Sequence, residues 1–254
     1  MQLATERLEQ IEQFIKGRLH ARVSELSRHF GVSEPTIRRD LHRLEEMGRV
    51  RREHGGASAV TLELQQAPVM HRISEQAEEK RRIGGATAQL VQDGETIFLG
   101  SGTTTLEVAR QLYGKKGLTV ITNALNIANQ LADNEHITLI VTGGVLRHSE
   151  SSMIGYIVEQ SLKELRADKV IVSMRAISVE EGLTNSNPLE TLTDRVIIGF
   201  AREVILVADH SKFGHASSGF VAPITAVHKI VTDDGTPAEI VQQLCELGIT
   251  VIQA

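Results

Sequence analysis

Basic and hydroxyl side chains are grouped between residues 36 and 43 in a pattern suited to contact with nucleic acid. Ile37, Leu41 and Leu44 recur at the spacing of one helix face. Asp40 lies near that buried side, where we expect it to pair or cap within the module and not to read bases. The polar side chains on the opposite face and its flanks are Thr36, Arg38, Arg39 and Arg43. Arginine can donate two hydrogen bonds to a guanine, and arginine or threonine can hold a phosphate, so the spacing favours a DNA-reading helix over an ordinary solvated surface.

The residues on either side of this helix support the same prediction. Ser33 precedes it as an expected N-cap, and Pro35 suits its first turn. The run 49–54 alternates and is followed by Gly55-Gly56, which is typical of a short hairpin, or wing. The wing residues placed to meet the DNA backbone or minor groove are Arg51, Arg52 and His54.

A second group of residues, farther along the chain, is suited to binding a small anion. Glycines let a backbone approach a ligand closely, and hydroxyls and the N–H groups at a helix start can hold a phosphate. The candidates occupy three loops and one strand end: Ser101, Gly102, Thr103, Thr104, Asn123, Gly143, Gly144, Asp209 and Lys212. Each loop alone is more often an ordinary turn. Their combination favours a pocket for a phosphorylated or acidic molecule.

Familiar nucleotide-binding and catalytic motifs are missing from the same loops. Neither a Gly-x-Gly-x-x-Gly pattern nor a P-loop occurs near residue 100, and the sequence has no Gly-x-Ser-x-Gly elbow. His148, His210 and His215 could act as bases, but their loop positions favour polar contacts. Histidines and acids show no metal-ligand spacing. We therefore expect no catalytic residues, no cofactor and no metal.

Two kinds of periodicity divide the chain. The first 55 residues indicate three helices followed by a hairpin, which is typical of a winged helix-turn-helix. From residue 94 onward, short apolar strands alternate with helices, which predicts a mostly parallel, doubly wound sheet. The predicted strands are 96–99, 118–122, 138–142, 169–173, 203–208, 228–232 and 250–252. The fold class is therefore α/β, with a winged helix-turn-helix domain at 1–57, a linker at 58–74 and a larger sensor domain at 75–254.

The charge distribution agrees with this division. The 254-residue chain has a formal net charge of −5, which by itself argues against a nucleic-acid partner. Residues 1–60, however, carry 11 Lys and Arg against 9 Asp and Glu, whereas the rest carry 16 against 23. This asymmetry indicates a weakly basic DNA reader joined to an acidic sensor. A single cysteine excludes an internal disulfide, and no apolar run reaches the ~20 residues of a membrane helix, so we expect a cytoplasmic location.

The helix-turn-helix motif, at its full spacing, resembles the N-terminal domain of the DeoR family of bacterial transcriptional regulators. The residues that carry this resemblance are Arg7, Ile11, Ile15, Ser33, Thr36–Leu41 and Arg52–Ala57. The segments that are similar to the family's sensor domain are Asp93–Thr105, Val120–Asn123, Gly143–Arg147, Glu181–Thr184 and Ala208–Gly214. The resemblance implies a fold similar to ribose-5-phosphate isomerase, a sugar-phosphate-like effector and repression that the effector relieves.

Two departures from the family pattern fall in the sensor domain. Arg175 stands where the family has an acid after the fourth strand, and Asp194 stands where it has a lysine after Glu190. Arg175 and Glu190 are therefore further candidates for effector binding. Arg175 either holds an extra carboxylate of the effector or forms an ion pair with Asp194. The sequence leaves both possibilities open.

Together, these features predict a DNA-binding repressor of a carbohydrate or sugar-acid catabolic operon. A phosphorylated or acidic sugar metabolite would release it from its operator. Its expected partners are double-stranded operator DNA, the effector and further copies of the chain, with no membrane. The alternative is a sugar-phosphate-isomerase-like enzyme with an accessory DNA-binding domain.

Overall fold

The computed structural model describes residues 4–18, 20–47, 49–53, 55–59, 69 and 71–254, so the predicted wing residue His54 lies outside it. The chain separates between residues 66 and 67 into two compact units. Within the described ranges, no helix is long and apolar enough to cross a membrane.

The first unit combines helices with a small antiparallel sheet. Its elements are α1 (Ala4–Arg18), β1 (His20–Arg22), α2 (Val23–Phe30), α3 (Glu34–Glu46), β2 (Val50–Glu53) and β3 (Gly56–Ala59). Strands β2 and β3 form the predicted hairpin, with Val50 opposite Ala59. Strand β3 also pairs with β1, a strand that the sequence pattern did not indicate.

The core of the first unit forms where its helices face one another. The predicted stripe of α3 is buried, with at most 1% of Ile37, Leu41 and Leu44 exposed. Each such side chain contributes roughly 1.5–3 kcal/mol on leaving water. Asp40 lies on the same side and accepts a hydrogen bond from Arg7 Nε at 2.7 Å, which confirms that it pairs within the module.

The second unit is built around a seven-stranded sheet in which every pairing is parallel. The second unit as a whole contains the strands β4 (Thr96–Leu99), β5 (Leu118–Thr122), β6 (Ile137–Val141), β7 (Val145–Arg147), β8 (Ser152–Ile154), β9 (Ala167–Val172), β10 (Ala176–Ser178), β11 (Gly182–Asn185), β12 (Ala201–Val207), β13 (Gly219–Ala222), β14 (Lys229–Thr232) and β15 (Thr250–Gln253). The sheet order is β15-β14-β12-β9-β4-β5-β6. All seven of these strands were predicted, within two residues at each end.

Helices cover both faces of this sheet, as its apolar strands require. They are α4 (Ala77–Gln89), α5 (Thr103–Gln111), α6 (Leu125–Leu131), α7 (Tyr156–Glu164), α8 (Pro188–Ile198) and α9 (Ala238–Glu246). Successive residues of a strand point to opposite faces. Phe98 and Val170 therefore belong to one core cluster, while Ile97 and Ile171 belong to the other.

Two small antiparallel sheets, β7-β8 and β10-β11-β13, extend from the carboxyl ends of the parallel strands. Asn123, directly after β5, accepts a backbone hydrogen bond from Met153 of β8 at 2.7 Å. Gly214, in the loop after β12, donates to Ile177 of β10 at 2.9 Å. The sequence pattern did not predict these strands. Asn185 of β11 and Glu150 of the turn between β7 and β8 line the site described next.

Candidate DNA-reading surface and effector cleft

Helix α3 presents a basic, exposed face. Arg39 and Arg43 are exposed, and among the described residues neither guanidinium has a hydrogen-bond or ion-pair partner. Arg38 is also exposed and pairs with Glu34 at 3.4 Å. An exposed pair of this kind contributes at most about 1 kcal/mol, so a phosphate can replace it.

The start of α3 differs in one detail from the prediction. Ser33 occupies the N-cap position, but its side chain makes no cap hydrogen bond. Its hydroxyl instead lies 2.9 Å from that of Thr36. The capping role predicted for Ser33 is therefore wrong, because its hydroxyl bonds to another side chain and not to a helix N–H. Both hydroxyls lie at the amino end of α3.

The wing is joined to α3 by Arg52. Its guanidinium lies 3.6 Å from Glu45, and its backbone N–H donates to the same carboxylate at 3.2 Å. Arg51 lies on β2, the first strand of the hairpin. The predicted wing is thus present, with Arg52 positioned on its exposed side.

In the second unit, a cleft lies at the carboxyl ends of β4 and β9. The turn after β4, the start of α5 and the residues after β9 form its floor. Seven of the predicted effector-binding residues line it: Ser101, Gly102, Thr103, Thr104, Arg175, Glu190 and Lys212. Open α/β sheets bind ligands at this edge.

Four predicted residues are not part of this lining: Asn123, Gly143, Gly144 and Asp209. Asn123 is buried, and its Nδ2 donates to the carbonyl of Met153 at 2.9 Å, which fastens β5 to β8. A Cβ on Gly144 would lie 2.8 Å from Val158 Cγ2, so this glycine allows close packing on α7. Asp209 is buried and accepts a hydrogen bond from the Ser211 N–H at 3.1 Å.

The first turn of α5 supplies backbone donors. Gly102 precedes the helix with φ 143°, and the first intrahelical bond runs from Leu106 N–H to the Gly102 carbonyl at 3.2 Å. The N–H groups of Thr103 and Thr104 come before that bond. Such groups carry a partial positive charge and bind anions.

Arg175 and Lys212 are the cleft cations whose side chains have no hydrogen-bond or ion-pair partner in the part of the chain that the structure describes. The Arg175 backbone N–H donates to Asn185 Oδ1 at 3.1 Å, and Asn185 Nδ2 donates to Asp194. Arg175 and Asp194 thus contact the same asparagine and form no ion pair with each other. Glu190, in contrast, pairs with the buried Arg147.

Burial changes the protonation of the cleft. It raises the pKa of Glu190, and it raises the pKa of Asp194 well above its usual range, an effect to which the charge of Glu190 adds. Burial and the charge of Arg72 lower the pKa of Arg175, whose guanidinium is far too basic to lose its proton. A raised pKa favours the neutral form of Asp194, which makes the cleft less negative than its composition indicates.

The lining also includes Arg72, Lys80, Glu150 and Asn185, which the sequence did not single out. Arg72 falls in the stretch interpreted as linker, and Glu150 falls in a turn. Lys80 carried a usable signal, because it shares the buried helical spacing of Ile83 and Thr87.

A winged helix-turn-helix unit with free arginines, joined to an α/β unit with a cationic cleft, defines a DNA-binding transcriptional regulator. A family model described as a DeoR-like helix-turn-helix domain matches residues 7–63, and one described as the DeoR C terminal sensor domain matches residues 75–234. The chain belongs to the DeoR family.

Relatives align along nearly the whole chain. The transcriptional repressor AccR of Agrobacterium fabrum is 37% identical over 232 residues, covering 91% of this chain and 90% of that protein. The glycerol-3-phosphate regulon repressor of Escherichia coli K12 is 35% identical over 242 residues, covering 95% and 96%. A ribose 5-phosphate isomerase from Methanocaldococcus jannaschii is similar over 55% of each chain, with 18% identity and a TM-score of 0.41. The two regulators confirm that this chain is a regulator and not an enzyme.

Proposed function

We propose that this protein represses a carbohydrate or sugar-acid catabolic operon and that a phosphorylated or acidic sugar in the cleft relieves the repression. The observation that carries the proposal is the pair of free cations, Arg175 and Lys212, in a cleft that also holds the first turn of α5. An anion would compensate both charges. The name of the glycerol-3-phosphate regulon repressor, a relative, supports a target operon that handles a phosphorylated compound.

The cleft divides into two chemical regions. Lys212 and the N–H groups of α5 suit a phosphate. Arg175 suits a carboxylate, which it can bind with two parallel hydrogen bonds. Glu190, Asp194 and Asn185 supply donors and acceptors for sugar hydroxyls. We therefore propose an effector with at least one anionic group and several hydroxyls.

We propose that α3 enters the major groove and that the wing contacts the adjacent backbone. The proposed DNA contacts are Ser33, Thr36, Arg38, Arg39, Arg43, Arg51, Arg52 and His54. Residues 1–57 would then read the operator, residues 58–74 would connect the domains, and residues 75–254 would sense the effector and self-associate.

A thermal-shift screen tests the effector site. A panel of sugar phosphates and sugar acids is added to the full chain, to Arg175→Ala and to Arg202→Ala, a control arginine that is exposed at the amino end of β12. We expect one chemical class to raise the Tm of the wild type and of the control, and to have a smaller effect on Arg175→Ala. If no compound in the panel binds, the proposal fails; if Arg175→Ala responds fully, the role of Arg175 fails.

A further inference from the structure

One wall of the cleft is formed by an ion pair between distant parts of the chain. Arg72 Nη2 contacts Glu150 Oε2, and only 15% and 9% of the two side chains are exposed. Arg72 belongs to the segment that follows the interdomain connection, and Glu150 lies in the turn between β7 and β8. The pair therefore fastens the start of the second unit to the rim of the cleft.

Further contacts hold the same segment in place. The Val69 N–H donates to the carbonyl of Ser149, the neighbour of Glu150, at 2.7 Å. Lys80, itself buried, donates through Nζ to the carbonyl of Arg72 at 2.8 Å and to that of Glu75. We call the Arg72–Glu150 pair the latch, and residues 69 and 71–76 the latched segment.

The backbone has positive φ at the end of the latched segment and next to Glu150. In the described ranges, Gln76 and Ser151 are the non-glycine residues with positive φ, at 48° and 50°. Gln76 ends the latched segment, and Ser151 directly follows Glu150. Side chains other than glycine rarely adopt this conformation, and such strain is common at switch regions. Release of the latch would let both positions relax.

The latch uses only part of the donor capacity of Arg72. Its Nη2 contacts Glu150, whereas its Nε is buried and has no hydrogen-bond partner. A phosphate or carboxylate binds the edge of a guanidinium through two parallel hydrogen bonds. An anion that binds both Nε and Nη2 would therefore compete with Glu150 for Nη2 and weaken the latch.

Given the proposed effector site, we infer that Arg72 is an effector-binding residue and that an anion in the cleft opens the latch. Glu150 forms the ion pair with Arg72, and its charge also acts on Arg175, with which it forms no ion pair. The effector would supply that negative charge and free the latched segment. Because this segment continues into the connection to the DNA-reading unit, its release offers a direct route from effector binding to DNA affinity. Regulation then follows from the different affinities of the two arrangements for effector and operator.

Hydrogen exchange of the full chain, read by mass spectrometry, tests the latch. Glu150→Gln removes the negative charge and keeps the shape of the side chain. We expect the amides of residues 69 and 71–76 to exchange about tenfold faster in this variant, as local opening becomes easier. Inorganic phosphate and 6-phosphogluconate, which carries both phosphate and carboxylate, should speed exchange of the same amides in the wild type.

A matched control is Glu95→Gln. Glu95 forms a comparably buried ion pair with Lys169 at the amino end of the seven-stranded parallel sheet. Its replacement should leave exchange in residues 71–76 unchanged. A rate in Glu150→Gln equal to that of the wild type overturns the latch, as does an equal increase in both variants.

Charge reversal distinguishes the two roles of Arg72, in the ion pair and in anion binding. This test does not depend on the stability of Glu150→Gln. The double variant Arg72→Glu, Glu150→Arg restores the pair but places a carboxylate where the anion would bind. We expect slow exchange in the latched segment and no acceleration by either probe. Acceleration equal to that of the wild type contradicts the assignment of Arg72.

The thermal-shift and exchange experiments together distinguish a wrong latch from a wrong proposed function. If the panel stabilises the wild type while exchange in Glu150→Gln is normal, only the latch is wrong. If neither the panel nor the two probes bind the wild type, the effector site and the inference that rests on it both fail.

Discussion

Charge compensation decides what each arginine of this protein can do. Arg7 bonds to the buried Asp40, and Arg147, itself buried, bonds to Glu190, so both are structural parts of their units. Arg39 and Arg175 have no such partner among the described residues. The sequence could place Arg39 on an outer helix face, because that depends only on helical spacing. It could not show whether Arg175 was paired, because that depends on residues brought together by the fold.

Arg39→Ala should weaken operator binding. Loss of a two-bond contact to a base costs about 1–3 kcal/mol, roughly a fivefold to 150-fold loss of affinity. Fluorescence anisotropy at a fixed salt concentration measures it. Arg81→Ala, an exposed arginine on α4 that pairs with Glu78, is the control and should bind normally. Wild-type affinity of Arg39→Ala would remove this residue from the DNA contact.

The half-buried carboxyl of Asp194 makes stability depend on pH. Burial raises its pKa, so the folded protein keeps this proton at pH values where the unfolded chain has lost it. Folding therefore loses stability as pH rises above the ordinary range of an aspartate. Asparagine keeps the shape and can still accept the Asn185 hydrogen bond. Asp194→Asn should gain more Tm over the wild type at about pH 8 than at about pH 4. A difference that does not change with pH would mean that Asp194 is ionised in the fold.

Among the secondary-structure elements, those that carry a continuous apolar run or a helical stripe could be predicted from the sequence. The seven parallel strands and α3 were predictable, because continuous apolar runs and helical stripes depend on local sequence. The antiparallel strands β7, β8, β10, β11 and β13 were not, because they lie outside the alternation of apolar strands and helices on which the prediction rested, and a pairing such as Leu183 with Ala222 joins residues distant in sequence. They and the turns beside them supply Glu150 and Asn185, and that part of the cleft was therefore missed.

The start of α5 requires glycine at position 102. Its φ of 143° suits no other residue well, and a Cβ would lie 3.1 Å from Thr105 Oγ1 and 3.3 Å from Ser173 Cβ. Gly102→Ala should displace the first turn and weaken effector binding about tenfold or more, because helix N–H groups must point at the anion. Thermal shift with the effector class measures this effect.

The control for that substitution is Gly114→Ala. Gly114 follows the same helix, and a Cβ there would meet open space. Effector binding should be unchanged in this variant. Equal binding by Gly102→Ala would show that the α5 terminus is not part of the site.

At the scale of the whole molecule, we propose that a second copy covers an apolar face of the second unit. Tyr156, Leu189 and Leu192 are exposed by 72%, 63% and 51%. The Gly155 N–H donates to Thr193 Oγ1 at 2.9 Å, which brings the start of α7 beside α8. These three side chains are uncharged, so their face can meet its own copy across a twofold axis without repulsion. Two copies would place two reading helices on half-sites about 34–36 Å apart or a multiple of that spacing.

Tyr156→Glu should therefore lower the mass of the assembly, which sedimentation velocity measures. Burial of an unpaired charge in an apolar interface is unfavourable. Tyr113→Glu is the control, because Tyr113 is 74% exposed and follows α5, away from this face. Assembly of the Tyr156 variant at wild-type mass would exclude the face.

If the cleft controls DNA affinity, a bound effector must release the full chain from its operator. DNA fragments that the protein selects from its own genome provide the operator. We expect a compound of the class found by thermal shift to weaken operator binding by the wild type about tenfold or more, the scale of a typical coupling free energy of 1–3 kcal/mol. Arg175→Ala and Lys212→Ala should bind the operator normally and be released less. Operator affinity that stays constant while the compound fills the cleft of the wild type would show that the cleft does not control DNA binding.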